Sequence, residues 1–404
     1  MGVEHRDSDG QRLYTVVQNA EVLGFIAIDS TICGRARGGL RLIEDVSEAE
    51  VRAAARAMTL KFGFLGLPQG GAKAGVRGNG EAGIEQRRTR LGEFARAVAP
   101  LLRQRTYVPD ADLGTRTADI RWMLRSIGVK IGRREWRGSR SGYYTAVSCL
   151  AAARAAMAHR RMSLASCRVA IEGFGSVGSS LAKLMTEQGA TVVALSTSRG
   201  AIYNPKGLDV DRLVQLASEV GSRIVELYAD AEATPREELL ELPVDLLCPC
   251  AGYHSIHEGN AQRIAASVVC PGANDPMTPN AERMLFERGI LWPPDFIANC
   301  GGVLGGTLEF AAVRPDRITS LIEKHIMQNV SSLLQEAEQR EVTPRAVAEP
   351  IALARHQRVR LAAETPTLWQ RTLARGMDYY RRGWVPKALV EPLAAKYIER
   401  LLTS

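Results

Sequence analysis

Two lysines stand out in a chain that otherwise takes most of its positive charge from arginine. Lys61 and Lys73 are the only lysines before residue 130, and both lie among apolar residues and glycines. A buried lysine beside another cation has a lowered pKa and can act as a base near neutral pH. The pattern therefore indicates acid–base chemistry on a small substrate. Two lysines that extend to the surface from helix ends would give the same pattern.

A second candidate acid–base element is the segment 108–114, in which Asp110 and Asp112 are separated by one alanine. Carboxylates at such a place can exchange protons with a substrate. A turn or a helix cap uses the same residue types. Both interpretations stay open on spacing alone.

A glycine-rich segment indicates dinucleotide binding. Residues 169–172 form a short apolar run, G-x-G-x-x-G follows it, and a helical pattern continues to Thr186. The first glycine makes a tight turn, the second lets a pyrophosphate approach, and the third lets helix and strand pack closely. The helix N-terminus favours phosphate. An ordinary glycine-rich turn is the alternative. The expected cofactor contacts are Gly173, Phe174, Gly175, Ser176, Val177 and Gly178.

The strand after this loop bears on the choice between NAD and NADP. It ends in Ser196, Thr197, Ser198 and Arg199, without the carboxylate that would hold a ribose 2′-hydroxyl. An arginine without a nearby acid can bind a 2′-phosphate, so the sequence favours NADP, with NAD as the alternative. Ser196, Thr197 and Arg199 are the candidate contacts, although Arg199 could be an ordinary exposed side chain.

The elements that must position these residues fall into three regions. Residues 1–136 mix strand-like runs such as 22–28 with helices, one of which begins at a capping box, Ser47 to Glu50, and runs to about Phe62. Residues 137–310 alternate short β-branched runs with helical stretches, the pattern of βαβ units, and residues 311–404 are helical. The strands predicted in the middle region are Arg168–Glu172, Thr191–Leu195, Asp245–Cys248 and Ser267–Val269.

These patterns predict an α/β protein. We expect an N-terminal α/β domain (1–136) and a Rossmann-type, doubly wound dinucleotide-binding domain (137–310). The C-terminal helices (311–404) are expected to pack partly back on the first domain.

Composition excludes several other classes of protein. The 404 residues are 46% hydrophobic and 24% charged, as in ordinary globular proteins. The net charge of +8 is spread along the chain, so no nucleic-acid partner is expected, and no apolar run is long enough for a membrane span. Seven dispersed cysteines are expected to be buried thiols in a reducing cytoplasm, and the six histidines form no metal motif, so no metal is expected.

Taken together, these segments resemble the glutamate/leucine/phenylalanine/valine dehydrogenase family of amino-acid dehydrogenases, from about residue 20 to residue 310 and more weakly beyond. The segments that carry the resemblance are Gly38–Arg41, Met58–Lys61, Leu67–Lys73, Pro109–Gly114, Gly173–Gly178, Ile202–Asp209, Gly272–Asn274 and Pro294–Val303.

The resemblance implies roles for the matched residues of the first region. Lys61 matches the lysine that binds the substrate α-carboxylate, and Lys73 matches the catalytic lysine. Asp112 matches the catalytic aspartate, which exchanges a proton with the substrate nitrogen. Gly70 and Gly71 would line the substrate pocket.

The same resemblance places residues of the second region beside the nicotinamide. Asn299 matches an asparagine near the substrate amine and the nicotinamide, and Ala251 and Asn274 would lie beside the nicotinamide ribose. Ser139 is roughly where the family has a threonine that contacts the carboxamide, and the local match there is imperfect.

The implied reaction is NAD(P)-dependent, reversible oxidative deamination of an L-α-amino acid to a 2-oxo acid and ammonia. The resemblance also implies a homo-oligomer, with substrate binding, catalysis and oligomerisation assigned to the first domain (1–136), and the cysteines indicate a cytoplasmic location. A nucleotide-binding sensor without turnover is the alternative from another class, and the presence of both Lys73 and Asp112 argues against it.

Two positions bear on the substrate side chain. Glutamate-specific members of the family have a lysine where this chain has Arg37 and a serine where it has Gly306, and aliphatic-specific members have apolar residues at both. Arg37 can bind a side-chain carboxylate, so an acidic substrate is the first choice. A large or aromatic substrate that uses the space left by Gly306 is the second. A small aliphatic one, with Arg37 turned outward, is the third, and Arg35 could share the role of Arg37.

The C-terminus departs from the family pattern. Residues 382–385 resemble the usual family ending, but the chain continues to Ser404. Residues 391–402 predict a short helix with Leu393, Tyr397 and Leu401 on one face. This face could cover a subunit interface or the cleft, or pack on its own domain.

Overall fold

The computed structural model describes residues 2–8, 10–135 and 138–403, which form two units. The first unit contains the described residues up to Ser139, together with Phe310–Val313 and the residues from Ile351 onward. The second contains Arg140–Glu309 and Arg314–Pro350. The domain boundary predicted between residues 136 and 137 falls on two residues outside the described ranges.

The N-terminal part of the first unit consists of a sheet and the helices packed on it. Its elements are β1 (Gly2–Ser8), β2 (Gln11–Gln18), β3 (Glu21–Ile28), β4 (Ala36–Ile43), α1 (Glu48–Phe64), β5 (Gly70–Arg77), α2 (Ile84–Ala97), α3 (Ala99–Arg103), β6 (Tyr107–Ala111) and α4 (Thr117–Ser126). The six strands lie in the order β1-β2-β3-β5-β4-β6. β4 runs parallel to β5 and β6, and the other pairs are antiparallel.

Local sequence explains where the first helix begins. The Ser47 side chain accepts a hydrogen bond from the Glu50 N–H at 3.2 Å, which satisfies one of the free donors of the first turn. The helix start predicted at this capping box is therefore confirmed, and the helix ends two residues later than predicted. One side of the sheet packs on α2 and α4 through fully buried apolar residues such as Ile26, Leu40 and Phe94. Each such side chain contributes about 1.5–3 kcal/mol when buried.

The second unit is built around a second sheet. Its elements up to residue 310 are α5 (Ser141–His159), β7 (Arg168–Glu172), α6 (Ser176–Glu187), β8 (Thr191–Thr197), β9 (Gly200–Tyr203), α7 (Val210–Val220), α8 (Ile224–Leu227), β10 (Glu232–Thr234), α9 (Arg236–Leu239), β11 (Leu246–Pro249), β12 (Val268–Val269), α10 (Pro279–Glu287), α11 (Asp295–Ala298) and α12 (Gly301–Phe310). The strand order is β10-β9-β8-β7-β11-β12.

This second sheet confirms the predicted Rossmann-type arrangement. β8, β7, β11 and β12 are parallel, and β9 and β10 add an antiparallel edge. β7 has the predicted bounds. β8 continues two residues further than predicted because Ser196 and Thr197 pair with β9. The loop at residues 173–175 lies at the carboxyl end of β7, where ligands bind in sheets of this kind.

Four helices complete the chain: α13 (Pro315–Gln339), α14 (Pro344–Glu364), α15 (Leu368–Arg382) and α16 (Lys387–Thr403). The helical C-terminus is thus confirmed, and the last helix is longer than the predicted 391–402. Leu393 and Tyr397 are 71% and 49% exposed, whereas Ala395, Ile398 and Leu402 are buried in the first unit. The face of α16 that packs on the first unit is therefore the one that contains Ala395, Ile398 and Leu402. The small side chain of Ala395 allows this close approach, and the positions of the large apolar residues do not predict it.

One cysteine differs from expectation. Cys33 is exposed, in a turn where its φ is +50°. The other thiols are buried or half-buried, and all seven are free. No helix in the described ranges combines the length and the apolar character that a membrane span requires.

Candidate active site

The first unit brings Lys73 and Asp112 into direct contact. Lys73 lies in the middle of β5 and is 2% exposed, and Asp112 directly follows β6. The Lys73 amino group donates a hydrogen bond to Asp112 Oδ2. Asp112 Oδ1 accepts from the Leu113 N–H at 2.7 Å. A buried amine and a carboxylate therefore share one site, as acid–base chemistry requires.

The surroundings set the protonation of this pair. The pKa of Lys73 is lowered to about 8, because burial and the charges of Arg41 and Lys61 together outweigh the opposing effect of Asp112. Burial alone would raise the pKa of Asp112, but Lys73 and Arg41 outweigh it and hold that pKa well below its ordinary value. Asp112 is thus ionised at neutral pH, and Lys73 gains and loses its proton near working pH.

Arg41 and Glu50 belong to this site although the sequence reasoning assigned them no role. Arg41 donates to Asp112 Oδ1 at 3.4 Å and to Glu50 Oε1, and both ends of the Arg41–Glu50 pair are nearly buried. Gly39 also serves the site, because a Cβ there would lie 2.2 Å from Asp112 Oδ2. Arg41 is the last residue of the segment Gly38–Arg41, and its position in that motif could have indicated that it belongs to the site.

The other predicted residues of the first unit lie close by in the fold. Lys61 is buried near the end of α1, and its charge acts on Lys73. Gly70 and Gly71 begin β5, where a Cβ would lie 2.3 Å from Ser30 O and from Thr59 N, respectively. Close packing of β5 on its neighbours therefore accounts for both glycines.

Arg37 has a partner that the sequence did not reveal. Its Nε and Nη2 atoms contact Asp110 Oδ2 at 2.8 and 2.6 Å, and both side chains are 43% exposed. β4 and β6 pair in parallel with Arg37 opposite Val108, which brings Asp110 within reach. Arg37 is thus already engaged with one carboxylate. Gly306 lies half-buried on α12 in the second unit.

The glycine-rich loop of the second unit has the geometry of a dinucleotide site. Gly173 has a φ of +92°, and a Cβ there would lie 2.5 Å from Ala251 Cβ. A Cβ on Gly178 would lie 1.9 Å from Gly173 O, so this glycine permits the close packing of α6 on β7. A Cβ on Gly175 would meet nothing within 4 Å. Gly175 therefore leaves open space at the N-terminus of α6, which begins at Ser176, and the N-terminus of a helix favours a phosphate group.

Phe174 and Val177 belong to the same loop, and the end of β8 contacts the loop through Ser196. Phe174 is buried, and Val177 lies in the first turn of α6. Ser196 Oγ is buried and accepts from the Gly173 N–H at 3.0 Å, so it holds the loop in place. Thr197 is also buried and donates to Ser222 O at 2.7 Å. Arg199 is exposed, as a contact to a 2′-phosphate must be.

Asn299 carries an unsatisfied polar atom. Its Nδ2 donates to Ala273 O at 2.7 Å and to Asn274 Oδ1 at 3.2 Å. Its Oδ1 is buried and accepts no hydrogen bond from any residue that the structure describes. A buried acceptor without a donor costs about 1–3 kcal/mol, and a ligand N–H would satisfy it.

A buried ion-pair network supports the segments around Asn299. Arg345 donates to Asp295 Oδ1 at 2.8 Å and to Glu282 at 2.7 and 2.8 Å. Asp295 Oδ2 accepts from the Asp275 N–H at 3.0 Å. This hydrogen bond holds Asp275, the residue that follows Asn274, in place.

Two hydroxyl residues flank the start of α5. Ser139 is exposed and belongs to the first unit. Thr145 lies in the first turns of α5, and a Cβ on Gly302 would be 2.5 Å from its Oγ1. Thr145 therefore lies beside Gly302, at the end of the Asn299–Gly302 segment. The described residues contain no group of three or more His, Cys, Asp or Glu side chains placed to hold a metal ion.

Comparison with known protein families decides what this arrangement is. Residues 139–363 match the Glutamate/Leucine/Phenylalanine/Valine dehydrogenase family, and residues 15–128 match the Glu/Leu/Phe/Val dehydrogenase dimerisation domain. The chain belongs to the glutamate/leucine/phenylalanine/valine dehydrogenase family. This dehydrogenase is an NAD(P)-dependent oxidoreductase that acts on an amino acid, as the sequence predicted.

Two curated relatives and one solved structure illustrate the relationship. The dehydrogenase is 34% identical over 341 residues to glutamate dehydrogenase of Thermotoga maritima, covering 80% of this chain and 82% of the relative. It is 35% identical over 292 residues to NAD-specific glutamate dehydrogenase of Staphylococcus aureus, covering 69% and 70%. The hetero-hexameric glutamate dehydrogenase of Thermus thermophilus, solved with leucine bound, has the same fold, with a TM-score of 0.72 at 24% identity and coverage of 85% and 86%.

Proposed function

We propose that this dehydrogenase deaminates an L-α-amino acid with an acidic side chain, with Lys73 as the general base and Asp112 as the proton carrier for the substrate nitrogen. The observation that carries the proposal is the pairing of buried Lys73 with half-buried Asp112, in which the pKa of the amine is lowered to about 8. A base with a pKa near working pH can both take and return a proton during one turnover.

The first unit supplies binding and proton transfer in this proposal. Lys61 pairs with the α-carboxylate of the substrate, and its fixed charge also helps Lys73 to lose its proton. After hydride removal leaves an imino acid, neutral Lys73 takes a proton from a water whose oxygen bonds to the imine carbon. Asp112 takes a proton from the substrate ammonium before hydride removal and returns it to the nitrogen of the carbinolamine. The carbon–nitrogen bond then breaks as the hydroxyl proton passes to Asp112, which gives the 2-oxo acid and ammonia.

The second unit supplies the cofactor site. A nicotinamide cofactor held there would supply the hydride acceptor for the substrate Cα. The open space at Gly175 and the buried, unpartnered Oδ1 of Asn299 both fit such a ligand. Ala251 and Asn274 flank these positions. Ser139 is the candidate for the carboxamide contact, and Thr145, which lies against Gly302, is a second candidate.

The acidic side chain is the first choice for two reasons. Arg37 can bind a carboxylate, and the two curated relatives are named as glutamate dehydrogenases. A substrate carboxylate at Arg37 would compete with Asp110 or share the guanidinium with it. A large hydrophobic or aromatic amino acid remains the second candidate, since the glycine at position 306 leaves space on α12.

NADP is proposed as the preferred cofactor. The end of β8 carries no carboxylate, and the exposed Arg199 is available for a 2′-phosphate. The name of the Staphylococcus aureus relative specifies NAD, so the preference differs from that relative in this proposal.

A cytoplasmic homo-oligomer is the proposed working form. The match of residues 15–128 to a dimerisation domain supports assembly, and seven free cysteines suit a reducing compartment. Size-exclusion chromatography with light scattering measures the assembly directly, and a single-chain mass would exclude it.

The decisive experiment is reductive amination with the purified protein. A panel of acidic, aromatic and aliphatic 2-oxo acids is offered with ammonia and either NADPH or NADH, and cofactor oxidation is followed by absorbance. We expect the highest kcat/KM with an acidic 2-oxo acid and NADPH. Turnover with none of the acids would contradict the proposal. Turnover with aromatic acids alone would replace the proposed substrate and keep the reaction.

A further inference from the structure

A concentration of positive charge lies in the first unit, away from Lys73 and Asp112. A cavity of about 650 Å³, called here the basic cavity, is lined by residues from four parts of the unit. Its cationic side chains are Arg35, Arg105, Lys130, Arg133, Arg381 and Arg382.

The basic cavity lies at the opposite end of the strands from the proposed proton-transfer pair. Arg35 directly precedes β4, and Arg105 lies two residues before β6, which runs parallel to β4. Asp112 directly follows β6. Since a strand rises about 3.3 Å per residue, the length of β6 places its two ends roughly 16 Å apart. The cavity is therefore separate from the Lys73–Asp112 site.

The carboxylates of the lining do not balance its cations. Glu135 accepts from Arg105 at 2.8 and 3.2 Å and from the Gly132 N–H at 2.8 Å. Asp378 accepts from Arg381 at 3.4 Å. Six cations and these two carboxylates leave a surplus of four positive charges around one concave space.

The cations also act on one another. Burial lowers the pKa of Arg381, Arg105 and Arg35 lower it further, and Glu135 and Asp378 oppose them. Like charges held this close destabilise one another unless an anion lies between them. Arginine is the side chain best suited to such an anion, because its planar fork pairs with two phosphate oxygens at once.

We propose that the basic cavity binds a small molecule carrying a diphosphate or triphosphate group. Two or three linked phosphates supply several negative charges within the reach of four or more guanidinium groups, which matches the surplus. The volume lies within the range of small-molecule sites, about 300–1,000 Å³. The site is distinct from the glycine-rich loop at Gly173–Gly178, which belongs to the second unit.

The test is a calorimetric titration of inorganic pyrophosphate into the full-length protein, with saturating NADP⁺ present so that the glycine-rich loop is occupied. A parallel titration uses ATP, and tighter binding of ATP would show that the nucleoside is recognised as well. We expect one site per chain in addition to the cofactor site, with an affinity that falls as salt is added.

Charge-matched variants of one helix locate the site. The double variant R381Q/R382Q removes two cavity arginines at the end of α15, and R371Q/R375Q removes two exposed arginines earlier in the same helix, outside the cavity. We expect the first pair to weaken pyrophosphate binding about tenfold or more and the second to change it less than about twofold.

A second cavity variant, K130Q/R133Q, comes from a different segment and covers the case in which R381Q/R382Q lowers the thermal unfolding temperature. Equal loss in the control pair, or no additional binding of either pyrophosphate or ATP, would overturn the proposal. Because the titration requires no turnover, its outcome is separate from that of the proposed dehydrogenase reaction.

Discussion

The amino group of Lys73 and the carboxylate of Asp112 are paired inside the first unit although 39 positions separate them in the chain. Lys73→Ala removes the base and leaves the second unit unchanged. We expect kcat to fall by about 10²–10⁴ with NADPH binding retained, measured by initial rates and by cofactor fluorescence. Lys324→Ala, on the exposed side of α13, is the matched control and should keep full activity. A Lys73→Ala rate within about threefold of wild type would remove Lys73 from the mechanism.

The lowered pKa of Lys73 gives the reaction a pH dependence with a defined sign. The neutral amine is the base, so kcat/KM for oxidative deamination should rise with pH and level off above the pKa of about 8. Arg41 contributes to that lowering, so Arg41→Gln should move the rising limb to higher pH. Arg96→Gln, on the exposed side of α2, should leave it in place. A limb that stays fixed or moves to lower pH in Arg41→Gln would contradict this assignment.

The Arg37–Asp110 pair predicts that one substitution should improve substrate binding. If Arg37 binds the side-chain carboxylate of the substrate, Asp110 competes with that carboxylate. Asp110→Asn should therefore lower KM for an acidic 2-oxo acid by up to about fivefold, the range expected of a half-exposed ion pair. Arg37→Leu should raise the same KM and leave aliphatic 2-oxo acids unaffected. An unchanged substrate ranking in both variants would show that Arg37 does not contact the side chain.

Two glycines of the same loop should respond differently to one added methyl group. In Gly178→Ala the new Cβ would overlap Gly173 O, so we expect the variant to lose roughly 1–3 kcal/mol of unfolding free energy. In Gly175→Ala the Cβ meets no protein atom, so stability should be kept while NADPH binding weakens. Thermal unfolding and cofactor titration of both variants separate the two effects. Equal NADPH affinity in Gly175→Ala and wild type would mean that no phosphate lies beside Gly175.

Cofactor choice is tested at the exposed positions after β8. Arg199→Ala should weaken NADPH binding about tenfold and leave NADH binding unchanged, since NADH lacks the 2′-phosphate. Ser198→Asp is a cleaner route to NAD preference than Thr197→Asp, because Thr197 is buried and donates to Ser222 O. Parallel loss of NADH and NADPH affinity in Arg199→Ala would assign Arg199 a structural role.

Local and periodic signals predicted much of the fold. β7 and the start of α1 depend on short-range chemistry, a β-branched run and a capping serine, and both were predicted closely. The family resemblance assigned Lys73 and Asp112 to catalysis but did not predict their contact. Spacing alone could not have given it, because it depends on the pairing of β4 with both β5 and β6.

Other features lay beyond the reach of the sequence for related reasons. The Arg37–Asp110 pair depends on the register of two strands. The buried face of α16 depends on which surface it meets. The contact of Thr145 with Gly302 depends on how two helices pack, and neither residue type predicts that contact.

The space that Gly39 leaves empty has a consequence for how activity can be lost. Any larger residue at that position would displace the carboxylate of Asp112, because its Cβ would fall 2.2 Å from Oδ2. A genetic selection for inactive protein should therefore recover Gly39 substitutions as readily as changes of Asp112 itself. Gly39, which has no functional group of its own, would then identify Asp112 as the proposed proton carrier as clearly as substitutions of Asp112 do.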